Sequence, residues 1–283
     1  MVSQLYTKIF KNAIRFELDK SMYLKKEQQI VFISGLHKSG TSVLHRILGN
    51  CDEVTRFTNT SVPEDEGQHL QSVYLPAKAF GGPGKFAFHP DAYLDENSPL
   101  VCAANSQKIY AEWKKFWDSR KNILLEKSPP NLIRTRFLQA LFPDAKFITI
   151  LRHPVAVALA TQKWSGTSFT ELLQHWIKAH SIYFNDRQKL RNELLFSYEE
   201  MIERPTEIFK SIGKFLNIDI QEFDQIENKN ELYFKQFQNK LYSSGSGKMN
   251  NDPDFLELEK NFLPFSYSLI DLSVFPKSKD LNL

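Results

Sequence analysis

Lys38 is the first side chain in this sequence placed to do chemistry. It lies in Gly35-Leu36-His37-Lys38-Ser39-Gly40-Thr41-Ser42, where two glycines bracket a lysine and hydroxyls follow. Such a loop, opening onto a helix, offers bare backbone N–H groups and an ammonium to an anion. Ile30 to Ile33 before it are apolar and mostly β-branched or aromatic, as a buried strand requires. Val43, Leu44, Ile47 and Leu48 after it give a helix one apolar face, and Thr41 or Ser39 can cap that helix. The glycines are five apart, as in a nucleotide-binding P-loop. That motif would next demand lysine and then serine or threonine. Here Thr41 stands in the lysine position and Lys38 sits inside the loop, so this is a phosphate loop with its lysine moved.

Three more groups carry chemistry. Glu64, Asp65, Glu66 and His69 crowd a segment punctuated by Pro63 and Gly67. It follows the first strand-helix unit, so it falls where the carboxyl edge of a parallel sheet binds ligands. Any of the four, or His37, can serve as a general base; a solvated acidic turn is the plain alternative. Lys127 follows a brief strand over 122–125, ahead of two prolines that force extension before a helix over 132–141. Arg152 ends the apolar run 147–151, and Pro154 starts the helix after it. Arginine suits bidentate phosphate recognition; a structural ion pair is its other use.

The elements that must position these groups follow from pattern and length. The 283 residues, 42% of them hydrophobic, can bury a sizeable core. We expect one α/β domain over 1–283. Its core spans about 28–218, with an amphipathic helix at 4–18 and a helical or lid-like region at 219–283 as appendages. The predicted sheet is parallel, flanked by helices in three layers. Its strands are expected at 30–34, 123–125, 146–151 and 194–197, with a further one within 51–57. The spacing also predicts helices over 99–117 and 170–190, and one starting near Gln68. The loop Phe80–Phe86 either covers an acceptor site or is a surface excursion. Tyr242 to Lys248 reads as a linker or a lid.

Net charge is +3, and no basic run interleaved with aromatics appears, so nucleic acid is not the expected partner. Cys51 and Cys102 form no CxxC pair or disulfide framework, and the first 26 residues lack a signal-peptide core. These features point to a reducing, cytoplasmic setting. No apolar stretch is long enough to cross a membrane. Oligomeric state is not legible.

Taken in order, Lys38–Ser42, Glu126-Lys127-Ser128-Pro129, the Phe142-Pro143-x-Ala145 strand ending in Arg152-His153-Pro154, and Tyr198-Glu199 resemble the sulfotransferases that use 3′-phosphoadenosine-5′-phosphosulfate (PAPS). The resemblance covers roughly residues 30–216 and is nearer the bacterial and Golgi-type branch. It implies a P-loop-like fold and sulfuryl transfer from PAPS to a hydroxyl of a carbohydrate, phenol or other small alcohol. It places Lys38, Ser39, Gly40, Thr41 and Ser42 on the 5′ end of the donor, Arg152 on its 3′-phosphate and Tyr198 near the adenine. The serine usual eight residues after that arginine is Ala160 here, and Thr161 is the nearest hydroxyl. The tryptophan that stacks on adenine in the cytosolic branch is replaced by Val43. Glu66 leads as the base by the same resemblance and Glu64 follows, with Lys127 and His37 beside the sulfonate. No metal is expected. A small-molecule kinase with a degenerate loop, or a non-catalytic nucleotide-binding module, are the competing classes.

Overall fold

The computed structural model describes residues 24, 25, 27–220, 225–243 and 253–281. The helix expected at 4–18 and most of the loop at 242–248 lie outside them. The centre is a sheet of five parallel strands: β1 (Gln29–Ser34), β2 (Val54–Arg56), β3 (Ile123–Lys127), β4 (Lys146–Leu151) and β5 (Glu193–Ser197), in the spatial order β2-β3-β1-β4-β5. β1 is central, with β3 on one side and β4 on the other. The chain therefore reverses its direction of travel across the sheet at β1. The crevice at the carboxyl ends of β1, β3 and β4 is the switch point where such sheets hold ligands.

β1 shows why the sheet is buried on both faces. Val31 and Ile33 pack with Leu44, Ile47 and Leu48 of α1 (Thr41–Leu48), while Ile30 and Phe32 pack with Trp113, Phe137 and Leu138 on the opposite face. Alternate residues point to opposite faces, so an uninterrupted apolar run needs helices on both. Those on the second face are α2 (Ala103–Trp113) and α3 (Thr135–Leu141). The helices α4 (Pro154–Ser165) and α5 (Phe169–Asp186) pack around Trp176 and Tyr183 in a third apolar cluster. Beyond β5 come α6 (Tyr198–Glu203), α7 (Pro205–Leu216), α8 (Asn230–Ser243), α9 (Pro253–Lys260) and α10 (Ser278–Leu281).

Several local expectations change. Gly40 at φ 102° is the N-cap of α1, and neither Ser39 nor Thr41 caps it by side chain. The two prolines prolong a 3-10 turn over Pro129–Ile133, so α3 starts only at Thr135. No α-helix follows Gln68; a 3-10 turn covers Gly67–His69. The helix expected over 170–190 starts one residue earlier, because Ser168 and Glu171 form a reciprocal capping box, and it ends at Asp186. Ile109, Trp113 and Trp117 are core residues, whereas Phe116 is exposed.

Four buried histidines and the half-buried His37 carry a stability consequence. Burial, the first cause in each case, pulls His37, His45, His153, His175 and His180 from the ordinary 6.5 down to about 3. The unfolded chain takes up protons below about pH 6.5, and the folded chain resists until about 3. Their contribution is thus complete above pH 6.5 and lost as pH falls towards 3. Glu126, pushed up to about 7 from 4.5 chiefly by burial, acts in the opposite direction over part of that range. Asp186, Glu193 and Glu199, also raised by burial first, act in the same direction as Glu126. The five histidines outnumber these four carboxylates and have the ordinary pKa nearest the window, so thermal melts should show the midpoint falling from pH 7 to pH 5. A flat or rising midpoint would contradict the burial of these rings.

Candidate active site

The Lys38 loop and Arg152 meet. Gly35 at φ 146°, Lys38 at φ 68° and Gly40 at φ 102° let the loop turn sharply after β1. Arg152, just beyond β4, donates from Nη1 to the Lys38 carbonyl at 2.5 Å and from Nε to Asn230 Oδ1 at 2.8 Å. Its guanidinium lies 4.1 Å from the Tyr198 ring centroid, and Tyr233 of α8 is also within cation–π reach. Its peptide oxygen accepts from Trp176 Nε1 at 3.0 Å. Burial lowers the Arg152 pKa, and Tyr198 and Glu199 oppose that shift. Gly40 leaves no room for a side chain, since a Cβ there would stand 2.7 Å from Tyr198 Cδ2. Two buried polar atoms of this cradle have no hydrogen-bond partner, Ser39 Oγ and Arg152 Nη2, and Thr161 Oγ1 of α4 is also buried without one. Ser42 and Lys38 face solvent, and the Lys38 ammonium sits 5.1 Å from the half-exposed Trp164 ring.

Lys127 and Glu66 form the second centre. Lys127 pairs in the sheet beside Ile33, which places its side chain at the same carboxyl edge. Its Nζ donates to Glu66 Oε1 and to the Glu64 carbonyl, both at 3.1 Å, and both ionic side chains are buried. Glu64 and Asp65 hold φ of 54° and 50°. That left-handed pair turns the backbone so that Glu66 faces inward while the Glu64 side chain stays exposed. Strain of this kind gathers at functional sites. Asp65 accepts the Thr60 N–H at 2.8 Å and hydroxyl at 2.6 Å, which closes the loop. Burial pushes the Asp65 pKa up, but the Thr60 bonds outweigh it and the net shift is down.

The segment is clamped from β3. Glu126 is fully buried, and its Oε1 accepts the Gly67 N–H at 3.0 Å and the Ser128 hydroxyl at 2.5 Å, while Oε2 accepts from Asn131 at 2.5 Å. Trp113 Nε1 reaches the Gly67 carbonyl at 2.9 Å.

Histidines flank the two centres. Burial first, then His175, Lys127 and Lys38, keep His37 neutral, and its Nδ1 is buried without a partner. The His37 ring packs edge-on against Phe86 and Trp164. Phe86 also meets His175, so the glycine-rich segment before it is packed onto the site and not a free excursion. Its Gly84 has no space for a Cβ, which would lie 2.6 Å from Leu172 of α5. His69 is half-buried, and burial and nearby lysines lower its pKa against the pull of Glu66.

The structure thus gathers Lys38, Ser39, Arg152 and Tyr198 in one cradle and Lys127 and Glu66 in one pair. It leaves the side chains of Glu64 and Asp65 outside. Asn230, Tyr233, Trp164, His175 and Gln68 were not singled out from sequence. Asn230 and Tyr233 come from a charge-dense stretch with no motif. Trp164 lies three residues after Thr161, just under one helical turn, which is the signal that could have found it.

Residues 30–222 match the model of the sulfotransferase family. The match covers well over half of the chain, and the chain belongs to that family. Over 204 residues it is 24% identical to protein-tyrosine sulfotransferase 2 of Gallus gallus, covering 68% of this chain and 52% of that protein. The chain therefore spans about half the length of this curated relative. A sulfotransferase structure from Mycobacterium avium aligns with a TM-score of 0.50 at 13% identity, over 93% of this chain and 80% of that one. One from Mycobacterium tuberculosis aligns at 0.49 and 15%, over 84% and 77%.

Gly67 tests the clamp. A Cβ there would meet Glu126 Cγ and Oε1 at 2.5 Å, and Glu126 has three partners that keep it from moving away. Gly67→Ala should cost about 1–3 kcal/mol by overpacking. Denaturant midpoints at unchanged slope will read it, and an unshifted midpoint would refute the tight approach.

Proposed function

We propose that this chain transfers the sulfuryl group of PAPS to a hydroxyl of an acceptor, with Lys38 and Arg152 holding the donor and Glu66 acting as base. One observation carries the reading. The loop lysine and the strand-end arginine are fastened together by the Arg152–Lys38 bond, at the edge where the buried Lys127–Glu66 pair also stands. A ligand with phosphates at two ends suits that cradle. Ser39 Oγ, Arg152 Nη2 and Thr161 Oγ1, buried without partners, are groups that such a ligand would satisfy.

The chemistry is an in-line displacement. The acceptor oxygen forms a bond to sulfur while its proton passes to the Glu66 carboxylate. The bond from sulfur to the bridging oxygen breaks, and its electron pair stays on the departing 3′,5′-adenosine bisphosphate. Lys38 and the loop N–H groups stabilise that growing charge. Lys127 orients the sulfonate and pairs with the Glu66 carboxylate beside it. Neutral His37 positions the sulfonate without adding charge. Gly40, Thr41 and Ser42 complete the 5′ cradle. The Thr161 hydroxyl takes the role vacated at Ala160. Tyr198 supports Arg152 with its ring face and borders the adenine. Cations belonging to the protein cover each site of developing charge, so donor binding is proposed to need no metal. Two free thiols, Cys51 and Cys102, suit a reducing cytoplasmic location. The acceptor is a carbohydrate, phenol or other alcohol. It enters past the exposed rings of Trp164 and Phe88.

Donor binding is tested by thermal shift. 3′,5′-Adenosine bisphosphate without metal should stabilise the protein. Stabilisation by ATP with magnesium alone would sink the proposal in favour of a kinase. Arg152→Ala should weaken bisphosphate binding, whereas Lys38→Ala should mainly lower turnover, because its charge counts most in the transition state. Wild-type behaviour in both variants would show the site to be misplaced.

The base is tested separately, with labelled PAPS and an acceptor panel. Glu66→Gln keeps the shape and removes the basic oxygen. Turnover should fall by roughly 10²-fold or more with bisphosphate binding retained. Near-normal turnover, with collapse in Glu64→Gln or His69→Gln instead, would move the role to that neighbour.

A further inference from the structure

Glu66 does not stand free beside Lys127, because both of its oxygens are engaged. Oε1 accepts from Lys127 at 3.1 Å and Oε2 accepts from Gln68 Nε2 at 2.5 Å. Gln68 is itself buried and held at both ends. Its Oε1 accepts the Ala77 N–H at 2.8 Å, and its backbone N–H donates to Ser128 Oγ at 3.0 Å. The backbone N–H of Ala77 can only donate, so the amide must turn its oxygen to Ala77 and its NH₂ to Glu66. Ser128 in turn donates to Glu126 at 2.5 Å. A continuous chain therefore runs Glu126–Ser128–Gln68–Glu66.

We infer that Gln68 is the positioning residue of the base. The terminal torsion of a glutamate is broad, so one hydrogen bond does not set the plane of its carboxylate. Two do. Gln68 pins Oε2 and leaves the Oε1 edge, beside Lys127, to receive the acceptor proton. Lys127 cannot fix the plane alone, because its ammonium also bonds the Glu64 carbonyl and orients the sulfonate in the proposed mechanism. Gln68 has no contact with the Lys38–Arg152 cradle among its hydrogen bonds, so its effect falls on turnover and not on donor binding. The inference rests on the reading of Glu66 as base.

The test is a double-mutant cycle. Gln68→Met keeps the volume and removes the donor. Gln68→Asn keeps the polarity but falls one methylene short. Turnover is read as transfer of labelled sulfate from PAPS to 4-nitrophenol and to water, and donor-site integrity as calorimetric binding of 3′,5′-adenosine bisphosphate. Each variant should bind the bisphosphate as wild type does and lose turnover by about 10-fold or more, the scale of a misplaced reacting group. In a Glu66→Gln background the same substitutions should cause no more than a two-fold further loss, because residues acting as one unit are not additive. A merely structural role would instead multiply the two losses. Turnover within two-fold of wild type in Gln68→Met, or a full multiplicative loss in the double variant, overturns the inference. Wild-type protein with no label transfer would instead count against the sulfotransferase activity itself. An unaffected Glu66→Gln would count against the choice of base.

Discussion

A buried ion pair is the constraint around which this molecule is arranged. Lys127 and Glu66 are both almost fully enclosed. Taking two charges out of water costs several kcal/mol for each ion, and mutual attraction offsets this only when the geometry is good and the remaining lone pairs and protons are satisfied. Here they are. The lysine has a backbone carbonyl as well as the carboxylate, and the carboxylate has an amide on its second oxygen. Removing one partner from such a pair leaves a buried bare charge, at about 3–5 kcal/mol. That demand explains the strained backbone at Glu64 and Asp65, the glycine at 67 and the second buried carboxylate, Glu126, which grips the turn from β3.

Glu126 and Glu66 are two carboxylates with different environments. Glu126 is raised to about 7 by burial first, against the pull of Ser128 and Asn131, with Glu66 adding to the rise. Lys127 touches Glu66 and not Glu126. Cation contact therefore goes to the carboxylate that the proposed chemistry uses, and the uncharged donors Ser128 and Asn131 go to the one that braces the loop. This is the pattern by which neighbouring acids are given separate roles.

The cradle on the other side of β1 depends on distant parts of the chain. Arg152 is held by Asn230, which also donates to Glu199 at 2.6 Å; Glu199 in turn accepts the His153 N–H at 2.9 Å and the Tyr267 hydroxyl at 3.0 Å. Ser268 closes the set by accepting from His153, and Glu259 is bound to Ser268. Residues 253–281 are thus tied by buried polar bonds to the strand ends that present Arg152. In a low-dielectric interior such a network fixes one arrangement, because any broken member leaves an unpaired polar group. It holds the Arg152 guanidinium in one orientation.

The amino-acid sequence by itself determined the sheet, the loop and the cations at its edge. Their signals are local: apolar runs of strand length, glycines five apart around Lys38, a lysine and an arginine each closing a strand, and Pro154 opening a helix. Once parallel strands are set side by side, residues at their carboxyl ends must converge, so Lys38, Lys127 and Arg152 were legible together. Their shared edge also let the acidic segment near Glu66 be placed beside them. Chemistry alone could not separate Glu64, Asp65 and Glu66 in the sequence, because three adjacent carboxylates are alike; only the family resemblance put Glu66 first. Which of the three turns inward lay with two left-handed backbone conformations and with Lys127, sixty-one residues away. Gln68, Asn230, Tyr233 and His175 were invisible for the same reason. A glutamine or asparagine has no role until a partner is brought to it, and the partners here come from strands and helices that only the folded chain sets in contact.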